Sequence, residues 1–249
     1  MFGGLPSMGQ GGDQVISKAV TAAIAALFKQ TESLEAAVRA EPIAKLLQGS
    51  IDGFDLVGQG LRMYNGLRIE VMELYLQAIS IDFGAIFKGQ VNLRRAVEAT
   101  MRVVLTEEDL TTSFNTPFVV AKLELIEYEG KPLKFQNTTM AVQKNRKLKL
   151  DSSVVVGEQP EPVQLSIEAA VDVEDRRKIK FVDVVYEGDA ESQAVAQALV
   201  NHVNSLMNLD KFALDGTQLR VDRIRIRGSK LVFYGTANIE KFPEAKKAA

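Results

Sequence analysis

The chain has 249 residues, of which 46% are hydrophobic, with 30 Lys and Arg against 32 Asp and Glu, and no cysteine. This length and composition allow a substantial buried core, in one large domain or two small ones. The net charge of −2 argues against a nucleic-acid partner, which requires a basic surface. Without cysteine, the chain has neither disulfides nor cysteine-ligated metals.

The first residues carry glycine and no charge, so residues 1–12 lack the basic segment of a secretory signal. We expect a flexible lead and a cytoplasmic protein. Asp13 is the predicted N-cap of a helix over 14–29. Its apolar run contains Lys18 and is shorter than the roughly 20 apolar residues that span a bilayer. The pattern therefore predicts an amphipathic helix and no membrane span.

Alternation of apolar and polar residues predicts the strands of the first half of the chain. These strands cover residues 32–41, 50–60, 67–81 and 97–105, with short helical turns at 42–48 and 82–88. Glycines within the second strand indicate bends. Thr106, followed by three acidic residues, predicts a helix start, and Thr116 before Pro117 predicts another. For residues 118–128 both helix and strand stay open.

From residue 131 onward the pattern is typical of hairpins with polar turns at 144–147, 174–178 and 227–230. A helix predicted over 190–207 interrupts them. Its polar residues form one narrow stripe, so protein or an apolar ligand must enclose the rest of its surface. The stripe consists of Gln193, Gln197, Asn201, Asn204 and Asn208.

The order of elements predicts an α+β fold. We expect a long, strongly curved, mainly antiparallel β-sheet wrapped around one or two apolar helices. A single domain would cover residues 13–242, between the lead and a polar tail at 243–249.

Motifs for catalysis are incomplete. Gly58 and Gly60 begin a dinucleotide motif in which Met63 replaces the third glycine, and the P-loop spacing from Gly84 lacks its lysine. His202 lies on an apolar helix face, which favours a packed histidine with one hydrogen-bond partner over a general base. The acidic residues 107–109 match the positive end of a helix dipole. We therefore expect a protein that is not an enzyme and has no cofactor or metal.

Two features indicate a lipid. The two long helices are rich in alanine, which suits either tight helix–sheet packing or a groove for acyl chains. A buried methylene contributes ~0.8 kcal/mol, so ten contribute ~8 kcal/mol against an association cost of ~4–15 kcal/mol. A lipid carrier must therefore bury most of one acyl chain.

The second feature is the strand near residue 220, in which four arginines alternate with apolar residues. The alternation slips between Val221 and Ile224, as a β-bulge causes. Arginine binds phosphate well, but a solvated strand face that deters edge pairing is the favoured interpretation. The arginines are Arg220, Arg223, Arg225 and Arg227.

Four stretches resemble the LmeA-like phospholipid-binding family. They are the opening MFGGL, residues 40–61 (AEPIAKLLQGSIDGFDLVGQGL), residues 104–114 (VLTEEDLTTSF) and residues 219–239. The resemblance implies a fold like that of the tubular lipid-binding proteins, with a curved sheet around a helix and an apolar groove. It also implies phospholipid binding, but it assigns no individual residue.

Taken together, the sequence predicts non-enzymatic binding, and potentially transfer, of a phospholipid or similar amphiphile by a peripheral protein at a membrane surface. Arg225 and Arg227 are the predicted headgroup contacts. Two alternatives stay open: a membrane-complex interaction or assembly module with a fully packed core, and a lipid-modifying enzyme that uses His202. The predicted lipid-binding residues are Val20, Ile24, Leu27, Leu56, Val195, Leu199, Leu206, Leu231 and Phe233.

Overall fold

Eleven strands and five α-helices make up the described part of the chain, which in this computed structural model comprises residues 12–42, 44–82, 84, 92–211 and 216–241. The helices are α1 Gly12–Ala25, α2 Ala44–Leu47, α3 Glu107–Phe114, α4 Pro117–Leu123 and α5 Ala190–Leu206, followed by a 3₁₀ turn at Leu209–Lys211. The predicted tail, almost all of the predicted lead and most of the turn at 82–88 lie outside the described residues.

The strands follow the predicted alternation closely. They are β1 Ser33–Arg39, β2 Ser50–Arg62, β3 Arg68–Ser80, β4 Val97–Thr106, β5 Glu127–Tyr128, β6 Lys131–Val142, β7 Leu148–Val156, β8 Val163–Glu174, β9 Lys178–Glu187, β10 Thr217–Arg227 and β11 Lys230–Ile239.

Short polar side chains set the starts of α3 and α4, as predicted. The predicted bounds of the first helix are wrong, because α1 begins at Gly12 and ends at Ala25, so that Asp13 lies within the helix and not at its N-cap. The Thr106 hydroxyl accepts from the amide of Asp109, whose carboxylate accepts from the Thr106 amide in return, so a capping box begins α3. Thr116 caps α4, with Pro117 at its first position. The open segment 118–128 is helical as far as Leu123 and then forms the short strand β5.

All strand pairs in the described residues are antiparallel, so the predicted α+β class is confirmed. The strands form two sheets, where the sequence analysis expected one. A six-stranded sheet has the order β1-β2-β3-β4-β11-β10, and a five-stranded sheet has the order β5-β6-β7-β8-β9. Helices α3 and α4 separate β4 from β5, so hairpin pairing restarts after them and a second sheet forms.

Each sheet packs against one long helix. Helix α5 and the five-stranded sheet share the largest apolar cluster, in which Val195 and Leu199 are almost fully buried. Helix α1 packs through Val20 and Ile24 onto a second cluster on the six-stranded sheet. A third cluster joins the two sheets around Met101, and it includes residues of β4, β9 and β10.

Both long helices also bond to the backbone of an edge strand. On α1, the hydroxyls of Ser17 and Thr21 accept from the amides of Val38 and Ala36 in β1, at 3.2 and 3.1 Å. On α5, the Asn204 side chain accepts from the amide of Phe181 in β9 and donates to its carbonyl. These bonds satisfy edge groups that would otherwise be free to pair with another strand.

The predicted β-bulge is confirmed between Val221 and Arg223 in β10. There the amide of Val221 donates to the carbonyl of Arg176, in the turn between β8 and β9, at 2.9 Å. The extra residue, Asp222, forms an ion pair with Arg176 at 2.6 Å. The bulge thus lets the turn of one sheet dock onto the edge strand of the other.

Candidate lipid-binding site

The interior beside α5 is filled by protein. The cavity between this helix and the five-stranded sheet measures about 10 Å³ and is lined by Leu150, Leu199 and Val203 among others. A cavity of this size is at the lower limit for a single water molecule. An acyl chain therefore has no room in this cluster.

A larger space among the described residues lies beside α1. A groove of about 500 Å³ runs between this helix and the β1 edge of the six-stranded sheet. This volume falls within the ~300–1,000 Å³ typical of small-molecule sites. We call it the α1 groove, and it is lined by Ser17, Lys18, Thr21, Ala22, Leu34, Glu35, Ala36, Ala37, Asp55, Val57 and Tyr75.

One face of the six-stranded sheet is apolar from edge to edge. The strand register places Leu56, Leu74 and Met101 side by side, and Met72, Val103 and Phe233 form the next row. Several side chains on this face and on α1 are only half-buried. We call this set the apolar strip, and its members are Val20, Ile24, Leu34, Met72, Leu74 and Leu219. Leu34 belongs to both the strip and the α1 groove, so the two are continuous.

The polar wall of the α1 groove lies on the opposite face of the same strands. Arg39 forms a two-pronged ion pair with Asp55, and hydrogen bonding to that carboxylate raises the pKa of the guanidinium. The Tyr75 side chain lies next to Asp55 across the β2–β3 ladder. Desolvation, with the negative charges of Glu73 and Asp55, raises the pKa of the Tyr75 phenol.

A family model for LmeA-like phospholipid-binding proteins matches residues 8–236 of the chain. The chain belongs to the LmeA-like phospholipid-binding family. The match covers both long helices and both sheets, except for the last three residues of β11. The chain has no significant match among curated proteins or among solved structures.

In this LmeA-like protein the predicted lipid-binding residues fall into three groups. Val20, Ile24 and the buried Leu56 lie in the α1 cluster, beside the groove. The others include Leu27, half-buried just after α1, and Leu206, half-buried at the end of α5. The remainder lie in the filled cluster around α5: Val195, Leu199, Leu231 and Phe233. Phe233 also contacts the cluster that joins the sheets.

The predicted headgroup residues Arg225 and Arg227 are exposed on β10, at the far edge of the six-stranded sheet. Neither forms an ion pair with another described residue. Their neighbour Arg223 stacks over the Tyr234 ring at 4.6 Å. In strand order, Tyr75 on β3 is the groove residue nearest to β10, three strand spacings of ~4.8 Å away, and its register runs through Thr100 and Thr236 to Arg220. Arg225 lies four register positions farther along, which adds ~14 Å at ~3.4 Å per residue, so it lies ~20 Å from Tyr75.

The remaining candidates for chemistry have structural roles. His202 Nε2 donates to the Lys122 carbonyl at 3.0 Å, which agrees with the predicted packed histidine. Glu108 pairs with Arg68, and the buried Asp109 completes the α3 cap. Within the described ranges, no group of His, Asp and Glu has the arrangement of a metal site.

The sequence analysis predicted no membrane-spanning helix. In the part of the chain that the structure describes, no helix combines the length and apolarity needed to cross a bilayer.

The sequence analysis missed the strip residues on β3 and the polar wall of the α1 groove. A usable signal was present on α1, where Ser17 and Thr21 are one helical turn apart on a largely apolar helix. Paired hydroxyls at this spacing indicate a helix that bonds to exposed backbone. Met72 and Leu74 alternate with polar residues, as in any half-buried strand. Whether they face an open site or a packed core depends on which helix covers the strand.

Proposed function

We propose that this protein binds one phospholipid, with an acyl chain along the apolar strip and the polar end of the lipid toward the α1 groove. The observation that carries the proposal is an open groove of about 500 Å³ continuous with half-buried apolar side chains, in a member of a phospholipid-binding family. The binding is non-enzymatic. It involves α1, while α5 serves as the packed centre of the second sheet.

The dimensions of the apolar face suit an acyl chain. From β2 to β10 it crosses four strand spacings, or ~19 Å at ~4.8 Å each. Half of a bilayer's hydrocarbon core, which one acyl chain spans, is ~15 Å. A single chain can therefore lie across the half-buried side chains of this face, beside Leu56, Met101 and Val221, which protein already buries.

The energetics require that much contact. Burial of ten methylenes contributes ~8 kcal/mol, which offsets an association cost of ~4–15 kcal/mol only when most of the chain is covered. The half-buried residues Met72, Leu74 and Leu219 supply apolar surface that water still contacts in this structure. A bound chain would remove water from both surfaces.

We also propose that loading occurs at a membrane surface, where the protein acts peripherally, and that it transfers lipid between membranes. Because the α1 groove is open to solvent, a chain can enter sideways without separation of sheet strands. Helix α1 covers the strip through the apolar contacts of Val20 and Ile24, together with two hydroxyl hydrogen bonds to β1. We propose that the helix shifts as a chain enters.

Native mass spectrometry of the purified protein, together with binding of a fluorescent phospholipid, tests this function. We expect copurified phospholipid in the wild type. Leu74→Ser, at the centre of the apolar strip, should weaken binding about tenfold, since it removes ~1.4 kcal/mol of apolar contact. The matched control is Val185→Ser on β9, where the side chain is 49% exposed. Wild-type protein that neither copurifies with lipid nor binds vesicles would contradict the proposal.

A further inference from the structure

The α1 groove contains two charges of opposite sign that no described residue pairs. Lys18 on α1 and Glu35 on β1 are both exposed and line the groove. Neither has an ion-pair partner among the residues that the structure describes. Asp55, in the same groove, is already occupied by Arg39. The groove therefore presents one available cation and one available anion.

An aromatic ring lies in the same groove. Tyr75 is 41% exposed, which is unusual for a large ring on a sheet in this molecule. Its cross-strand neighbour is Asp55, and the same strand carries Glu73, which pairs with Arg102. An aromatic face beside carboxylates attracts a primary or quaternary ammonium group.

We infer that the α1 groove binds a zwitterionic phospholipid headgroup, with the phosphate at Lys18 and the ammonium group over Tyr75 beside Glu35. The inference rests on the proposed function, because it assigns the polar end of the same lipid. Lys18 and Glu35 together carry no net charge, which matches a headgroup that carries one negative and one positive charge. An anionic headgroup has no cationic group to pair with Glu35, and the Glu35 carboxylate repels its negative charge.

The connection to the apolar strip supports this placement. Leu34 and Ala36 line the groove, and both lie on the strip side of β1, while Glu35 lies on its other face. The groove thus passes around the edge strand from apolar to polar surroundings, as the junction between acyl chain and headgroup does. Arg225 and Arg227 lie on the opposite edge strand, ~20 Å or more from Tyr75, too far to contact the same headgroup.

Competition binding with vesicles separates these sites. Wild-type protein should take up phosphatidylcholine or phosphatidylethanolamine in preference to phosphatidylglycerol. Glu35→Gln should lower affinity for the zwitterionic lipids about tenfold and leave phosphatidylglycerol binding equal or stronger, because it removes one charge-assisted contact. Lys18→Gln should weaken binding of all three lipids. The control variant is Arg225→Gln with Arg227→Gln, which we expect to leave the preference unchanged.

The outcomes are distinguishable from failure of the proposed function. If the wild type binds lipid but Glu35→Gln and Tyr75→Leu keep its preference, or if the arginine variants remove that preference, the headgroup inference is overturned. Soluble phosphocholine, which has no acyl chain, should fail to compete at concentrations equal to the lipid. Equal competition by phosphocholine would instead indicate a site for a small soluble molecule. All variants change exposed residues, so each should unfold at a Tm close to that of the wild type, and thermal unfolding checks this.

Discussion

Truncation of Leu199 on α5 distinguishes a filled core from a lipid-lined groove. The Leu199 side chain is 2% exposed, and the cavity that it lines measures about 10 Å³. If protein alone fills this cluster, Leu199→Ala should destabilise the fold and leave lipid binding intact. If an acyl chain normally occupies the space beside α5, Leu199→Ala should instead weaken lipid binding and leave the stability of the fold nearly unchanged.

The magnitude follows from the packing around Leu199. Loss of three buried carbons at ~0.8 kcal/mol each gives ~2.4 kcal/mol. A residual cavity adds to this cost, and Leu→Ala substitutions in packed cores cost ~2–5 kcal/mol. Because the surroundings are nearly void-free, we expect a loss of ~3–4 kcal/mol in the free energy of unfolding. At ~2–4 °C per kcal/mol for a chain of this size, Tm should fall by ~6–16 °C.

Calorimetry measures Tm, and fluorescent-phospholipid titration measures affinity for the same samples. Ile24→Ala on α1 is the matched control, because Ile24 is half-buried and lies in the apolar strip. It should lower Tm less than Leu199→Ala and weaken lipid binding more. A Tm change under ~2 °C for Leu199→Ala, combined with lost lipid binding, would refute the assignment of the site to α1.

Two further predictions concern the fold. A Cβ atom on Gly235 would overlap the carbonyl oxygen of Arg220, so Gly235→Ala should cost at least ~1–3 kcal/mol and loosen the β10–β11 pair. Chemical denaturation should show this loss, with a smaller one of ~1 kcal/mol for the control Gly228→Ala, whose Cβ would meet no atom but whose φ of +59° disfavours alanine. The amide of Ser192 donates to the Asp189 carboxylate and lowers its pKa. A lowered folded-state pKa adds stability above the unfolded value of ~3.9, which is lost as pH falls through the folded pKa. Asp189→Asn should therefore flatten the dependence of stability on pH below pH ~4, and an unchanged slope would contradict the assignment.

Much of the fold was predictable because it depends on local patterns. Alternation predicts the strands, and polar clusters predict the hairpin turns at 144–147, 174–178 and 227–230. The cap residues Thr106 and Thr116 predict where α3 and α4 begin. Each of these signals acts between residues a few positions apart, so a single sequence carries it in full.

The site was less predictable, because apolar side chains look alike in sequence whether they fill a core or line a groove. Val20 on α1 and Val195 on α5 both lie on alanine-rich apolar helices, and both were predicted to wall one groove. The structure places Val195 in a filled cluster and leaves Val20 half-buried beside open space. The difference depends on how many strands and helices surround each helix.

The sequence alone therefore determined the α+β class, the strand and helix positions, the bulge in β10 and the likeness to a phospholipid-binding family. These features follow from residue periodicity, capping and turn chemistry, which operate locally. Only the tertiary structure decided that the strands divide into two sheets, that α5 is enclosed, and that the open groove lies where α1 meets the edge strand β1. Such outcomes depend on packing between residues far apart in the chain, and the volume left between them is fixed only once every element is in place.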